Sequence, residues 1–170
     1  PEDAGDTPAQ QAAPATYPAV TEGQFERIMQ RVANQVSLAD QSLDAELLVD
    51  RVSEPTISHR KSQYVLRNFD DDLGQILRIP AEPVRVLVPQ QTTEWPRFVV
   101  AVMQEGIELN SPTLAVVLRQ ENPRDNYRML YATLLAPDVV LPAMPTANVG
   151  SPRLARDSKL VDPNPEDTVT

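Results

Sequence analysis

The chain has 170 residues, 17 of them proline, and 24 acidic against 15 basic side chains, for a net charge of −9. The absence of cysteine excludes disulfides, cysteine-ligated zinc, iron–sulfur clusters and thiol nucleophiles, and the single histidine, His59, excludes any site built on two. So negative a chain argues against nucleic acid, whose phosphates are gripped by Lys and Arg.

The length suits one domain, and the charge and proline divide it into three zones. Residues 1–20 hold 4 prolines, 3 acids and no base. Such a segment buries too little apolar surface to offset its ordering entropy, which predicts a disordered tether. Residues 21–136 carry 16 acids and 12 bases and form the expected folded domain. Residues 137–170 carry 6 prolines, 5 acids and 3 bases. They read as a Pro-rich extension that packs on the domain or leads to a further module. No stretch of about 18 apolar residues is present, so nothing in the sequence reads as a membrane span. The Ala/Pro/Gln/Thr-rich start resembles the tether after a cleaved signal or lipid-anchor site, with anchoring upstream of Pro1; the plain alternative is a trimmed end.

Thr21 and Gln24 have the spacing of a capping box. Phe25, Met29, Val32, Val36 and Ala39 follow at helical spacing and predict a helix to about Asp40. Asp44 is placed to cap a shorter second helix with Leu47, Leu48 and Val52. Ser53-Glu54-Pro55 starts a third, running through Ile57, Tyr64 and Val65 towards Phe69. A short turn or helix with Leu73, Ile76 and Leu77 ends before Pro80 and Pro83.

The pattern then changes to four β-rich runs, at 84–88, 97–103, 113–119 and 127–135, with turn signals between them. The connections are too short for crossover helices, so neighbours should pair antiparallel. Helices followed by strands predict an α+β domain, with N-terminal helices packed on a curved antiparallel four-stranded meander. Val99 to Val102 and Leu114 to Leu118 are continuously apolar. One sheet face packs on the helices. The other needs cover from the tail residues Val139, Val140, Leu141 and Met144, from a second domain or from a partner.

Catalytic signals are thin. His59 lacks a recognisable orienting acid and nucleophile, and a partly exposed helix histidine is the plain alternative. Asp70-Asp71-Asp72 offers Asp70 and Asp72 as oxygen ligands for a hard cation, but lacks spaced ligands; a capped loop is the simpler reading. Arg124-Asp125 forms a charge cluster at a hairpin. Trp95, the only tryptophan, stands at a strand entrance, where it either packs over the sheet end or anchors a partner. No GxSxG, HExxH, P-loop or GxGxxG motif occurs, and no cofactor is expected.

Several short blocks resemble a family of actinobacterial extracytoplasmic, lipoprotein-like proteins of unknown function. They are Val36, Ala39, Asp40, Leu43 and Asp44; Arg51-Val52-Ser53; Arg60, Lys61 and Tyr64; Glu94-Trp95-Pro96-Arg97; Asn122 to Tyr127; and Val149-Gly150-Ser151-Pro152. The resemblance covers residues 21–170 and implies a position tethered to the outer face of the cytoplasmic membrane. The order of elements is also similar to the nuclear-transport-factor-2-like, or cystatin-like, cone. Enzymes of that shape place polar groups inside the cone, whereas the inward positions here read as Val, Ala, Leu and Met.

The expected function is therefore a non-catalytic, extracytoplasmic protein-binding domain, an accessory subunit of a membrane or envelope complex. Its partner surface would use Trp95, Arg97, Arg124, Tyr127, Val139 and Leu141. The alternative is a ligand-binding or enzymatic cone with His59, Tyr64 and Tyr131 around an apolar pocket. A weaker one is cell-wall glycan contact through Trp95 and Tyr127.

Overall fold

The computed structural model describes residues 17–73, 76–82, 84–104, 112–137, 139–155 and 157–159. Helix α1 spans Glu22–Ser42, a 3-10 turn spans Ala45–Leu48, and helix α2 spans Thr56–Phe69. Strands β1 (Val84–Pro89), β2 (Arg97–Gln104), β3 (Thr113–Gln120) and β4 (Arg128–Leu134) follow. They form one antiparallel sheet in the order β1-β2-β3-β4. The molecule is thus α+β, with its helices packed on a simple meander.

The helix termini follow from local chemistry. The Thr21 hydroxyl accepts from the Gln24 N–H at 3.3 Å, and the Gln24 side chain accepts from the Thr21 N–H at 2.9 Å, so the capping box closes. Leu43, in left-handed backbone at φ 49°, ends α1. Asp44 accepts from the Glu46 N–H at 2.9 Å, and the expected second helix shrinks to that one 3-10 turn. Pro55 is the N-cap of α2, with no side-chain bond of its own; the Glu54 carboxylate accepts from the Ser58 N–H at 3.2 Å instead. Beyond α2, residues 71–73 form a turn and 76–82 have no regular structure, so the Leu73–Leu77 run is no helix where it is described.

The core fills the space between α1 and one face of the sheet. Phe25, Met29, Val32, Val36 and Ala39 form the buried stripe of α1. They meet Leu87 of β1, Val99, Ala101 and Met103 of β2, Leu114, Val116 and Leu118 of β3, and Met129 of β4. Alternation along each strand sends these residues to one face, and burying each large one contributes about 2 kcal/mol. The stripe expected on α2 is only half right. Tyr64 is buried, but Val65 lies on the outer side and Phe69 is 86% exposed.

Both ends of the described chain knit to the β1–β2 region. The Ala19 N–H donates to the Gln90 carbonyl at 2.7 Å, and the Tyr127 hydroxyl donates to the Ala19 carbonyl at 3.1 Å. Ala19 and Val20 are buried, so the folded unit includes residues 17–20, which composition alone assigned to the tether. On the C-terminal side, Gln91 N–H donates to the Ser151 carbonyl at 2.8 Å and Ser151 N–H to the Pro89 carbonyl at 2.9 Å. These bonds continue the pairing past the end of an edge strand whose polar groups would otherwise stand open. Gly150 makes the approach possible: its φ is +74°, and a Cβ there would sit 2.6 Å from the Pro89 carbonyl oxygen.

Candidate functional site

Two surfaces concentrate the residues singled out by sequence. The first is the outer face of the sheet. The register places Val86 and Val88 of β1 beside Val102 and Val100 of β2. Those two stand opposite Ala115 and Val117 of β3, and Val117 faces Tyr131 of β4. Val102 is buried among its neighbours yet belongs to no part of the central core, while Val100 is 39% and Tyr131 51% exposed. The rim is basic and polar. Arg119 lies over Phe98, 5.5 Å from its ring centroid, pairs with Glu121 at 2.9 Å, and stands opposite the exposed Arg128. Arg85 donates to Gln104 at 2.9 Å at the far corner.

The tail does not bury this face. Val140 is 91% exposed, and Val139 and Met144 are exposed as well; Leu141 is half-buried. Pro142 and Met144 to Ala147 line a cavity at the β1 edge with Glu22 and Glu26 of α1, Glu82, and Val84 to Leu87. Val139, Val140 and Met144 therefore do not supply the expected cover. The bonds of Ser151 to Pro89 and Gln91 fasten the tail at the end of β1.

The second surface lies at the end of the helix–sheet sandwich. A cavity of about 350 Å³ is lined by Gln24, Arg27 and Arg31 of α1, by Trp95 and Arg97, and by Gln120, Pro123 and Tyr127. Core-side alternation explains the gathering, because Arg97 and Gln120 are paired and continue the inward series of Val99 and Leu118. The Arg97 guanidinium stacks 4.0 Å from the Trp95 ring centroid. The Trp95 indole N–H donates to Gln120 at 3.3 Å, and Gln120 donates onward to the Asp125 carbonyl at 2.8 Å. Burial raises the Tyr127 hydroxyl above its usual range, against the opposing pull of Arg97.

Of the residues expected at a partner surface, Trp95, Arg97 and Tyr127 come together here. Arg124 follows Pro123 on the exposed hairpin but is not among the lining residues, and Val139 and Leu141 lie in the tail. Arg27 and Arg31 were missed. Their signal was legible: they stand one helical turn apart, and no acid lies three or four residues from either.

The residues of the alternative pocket do not converge. Tyr64 is buried on the core side and its hydroxyl donates to Asp40 at 2.6 Å. His59 is exposed on α2, and Tyr131 stands on the outer sheet face. Asp70 accepts from the Asp72 N–H at 2.9 Å, a local turn, and no group of three metal-ligating side chains occurs among the described residues. No described helix is long and apolar enough to cross a membrane. No protein-family model matches the chain, and comparisons with curated proteins and with solved structures give no match.

Proposed function

We propose that this chain is a non-catalytic protein-binding domain whose outer sheet face receives a partner protein. The observation behind this reading is the apolar outer face of Val88, Val100, Val117 and Tyr131, where Val100 and Tyr131 stand exposed. The occupant is a protein surface with an apolar centre and acidic margins, matched to the arginine rim of Arg85, Arg119 and Arg128. An extracytoplasmic position in a membrane or envelope complex is part of the proposal and rests on the sequence resemblance. Placed there, the domain serves as an accessory subunit.

A photo-crosslinking amino acid at position 100, introduced into the full-length protein in its native membranes, tests the reading. Position 69 and the exposed Ser37 on α1 serve as comparisons. One recurrent crosslinked protein from position 100, absent from position 37 and lost on Arg128→Glu, supports it. Equal yields from position 37, or none from position 100, overturn it. A second reading is docking along the exposed Val65, Leu66 and Phe69 of α2 and Leu73 of the turn after it; crosslinks from position 69 alone select it. Deleting 137–170 is the weaker test, because it also removes the Ser151 bonds to β1.

A further inference from the structure

We propose that the arginine-lined cavity at the end of the sandwich binds a small organic anion carrying two or more oxyanion groups, phosphoryl or carboxylate. The site is separate from the outer sheet face and does not depend on it. Three arginines, Arg27, Arg31 and Arg97, line one cavity of about 350 Å³, a volume typical of small-molecule sites. Among the described residues no carboxylate lines it, although acids outnumber bases 24 to 15 in the chain.

The helix sorts its charges. Glu26 and Arg27 are adjacent in sequence but lie about 100° apart around α1. Glu22 and Glu26 face the cavity shared with the tail, and Arg27 and Arg31 face this one. Acids on the adjoining hairpin are already engaged. Asp125 accepts from the Asn122 side chain at 2.9 Å, and Glu121 pairs with Arg119. Neither Arg27 nor Arg31 forms an ion pair with any described residue.

Arg97 adds a second kind of observation. Its Nε is buried and has no hydrogen-bond acceptor among the described residues. Buried donors are rarely left this way in a finished site. Stacking on Trp95 uses the flat face of the guanidinium, whereas its N–H bonds lie in the plane and suit bidentate oxyanions. Burial, and after it the charge of Arg31, disfavours the charged form of nearby Arg51, against the opposing pull of Asp50. An incoming anion relieves the mutual repulsion of these groups. Trp95, Gln120 and Tyr127 fix the walls through bonds of their own, so little has to be ordered on binding.

Trp95 is the sole tryptophan, so tryptophan fluorescence, excited at wavelengths tyrosine does not absorb, reports on this cavity. The experiment titrates the full chain with sodium pyrophosphate and with citrate, at ionic strength held constant with sodium chloride, and follows both fluorescence and heat. Saturable binding of at least one anion is expected, weakened at least tenfold in Arg27→Gln/Arg31→Gln and in Arg97→Gln. Arg124→Gln, outside the lining, should stay within twofold. Pyrophosphate binding alone assigns a phosphoryl ligand, and citrate binding alone a carboxylate one. Arg31→Gln by itself serves if the Arg97 variant loses its circular-dichroism signal. Absence of saturation with both anions, or equal affinity in the arginine variants, overturns the proposal.

Discussion

Arg60 of α2 and Asp40 of α1 form an ion pair sealed between the two helices: Arg60 is 3% exposed, and its second nitrogen donates to the Leu77 carbonyl at 2.7 Å. The Tyr64 hydroxyl donates to the same Asp40 oxygen at 2.6 Å. One carboxylate therefore fastens α1 to two side chains of α2, and Arg60 also ties in the segment before β1. Removing one member of a buried pair leaves the other charge without compensation. Arg60→Met should cost about 3 kcal/mol in urea unfolding, and Tyr64→Phe about 1 kcal/mol. Equal, negligible losses from both would show that solvent satisfies Asp40.

The same contact sets an alkaline limit on stability. Burial, then the bond to Asp40 and its charge, raise the Tyr64 hydroxyl well above the usual tyrosine range, and Arg60 opposes this only in part. In the unfolded chain the phenol ionises near pH 10. Below that pH both states hold the proton and the contribution is complete. Above it the unfolded state releases the proton first, so stability falls as pH rises towards the folded value. The slope is about 1.4 kcal/mol per pH unit for each tyrosine held back. Unfolding midpoints between pH 9.5 and 11 should fall less steeply in Tyr64→Phe. Tyr127, also raised by burial, should leave a residual slope.

Gly150→Ala tests how the tail is fastened. Its backbone at φ +74° disfavours any side chain, and the new Cβ would meet the Pro89 carbonyl, a backbone atom that cannot swing aside. A loss of about 2 kcal/mol is expected. Hydrogen exchange should show faster exchange at the Gln91 and Ser151 amides, which exchange bonds across this junction, with α1 protected as before.

What was legible in the sequence followed from period and punctuation. The α1 stripe from Phe25 to Ala39, the Thr21–Gln24 box and the four strands were all written locally, so local rules found them. Misreadings fell where long-range contacts decide. Residues 17–20 look like linker, yet Ala19 is held by Gln90 and by Tyr127, more than 70 residues away in sequence. Phe69 fits the helical period, but α2 ends beside an open surface with nothing described to cover it. The candidate site divides the same way. Trp95, Arg97 and Tyr127 drew notice as residue types. Only the strand register shows that Arg97 and Gln120 close the core-side end beneath Arg27 and Arg31.

Val99 and Val100 offer the sharpest check on the two faces of the sheet, being the same residue type side by side on β2. Val99 is fully buried in the core, whereas Val100 is 39% exposed on the outer face. Val99→Ala opens a cavity beneath α1 and should cost about 2 kcal/mol. Val100→Ala removes methyls that neighbouring side chains cover only in part, and should cost less than about 0.7 kcal/mol in the isolated protein. The difference belongs to the free chain. With a partner seated on the outer face, the Val100 methyls lose their remaining water, and Val100→Ala should then weaken association by a few-fold while Val99→Ala does not. Equal costs for the two substitutions in the isolated protein would show that the chain covers its own outer face, and the docking surface would then have to be sought along α2.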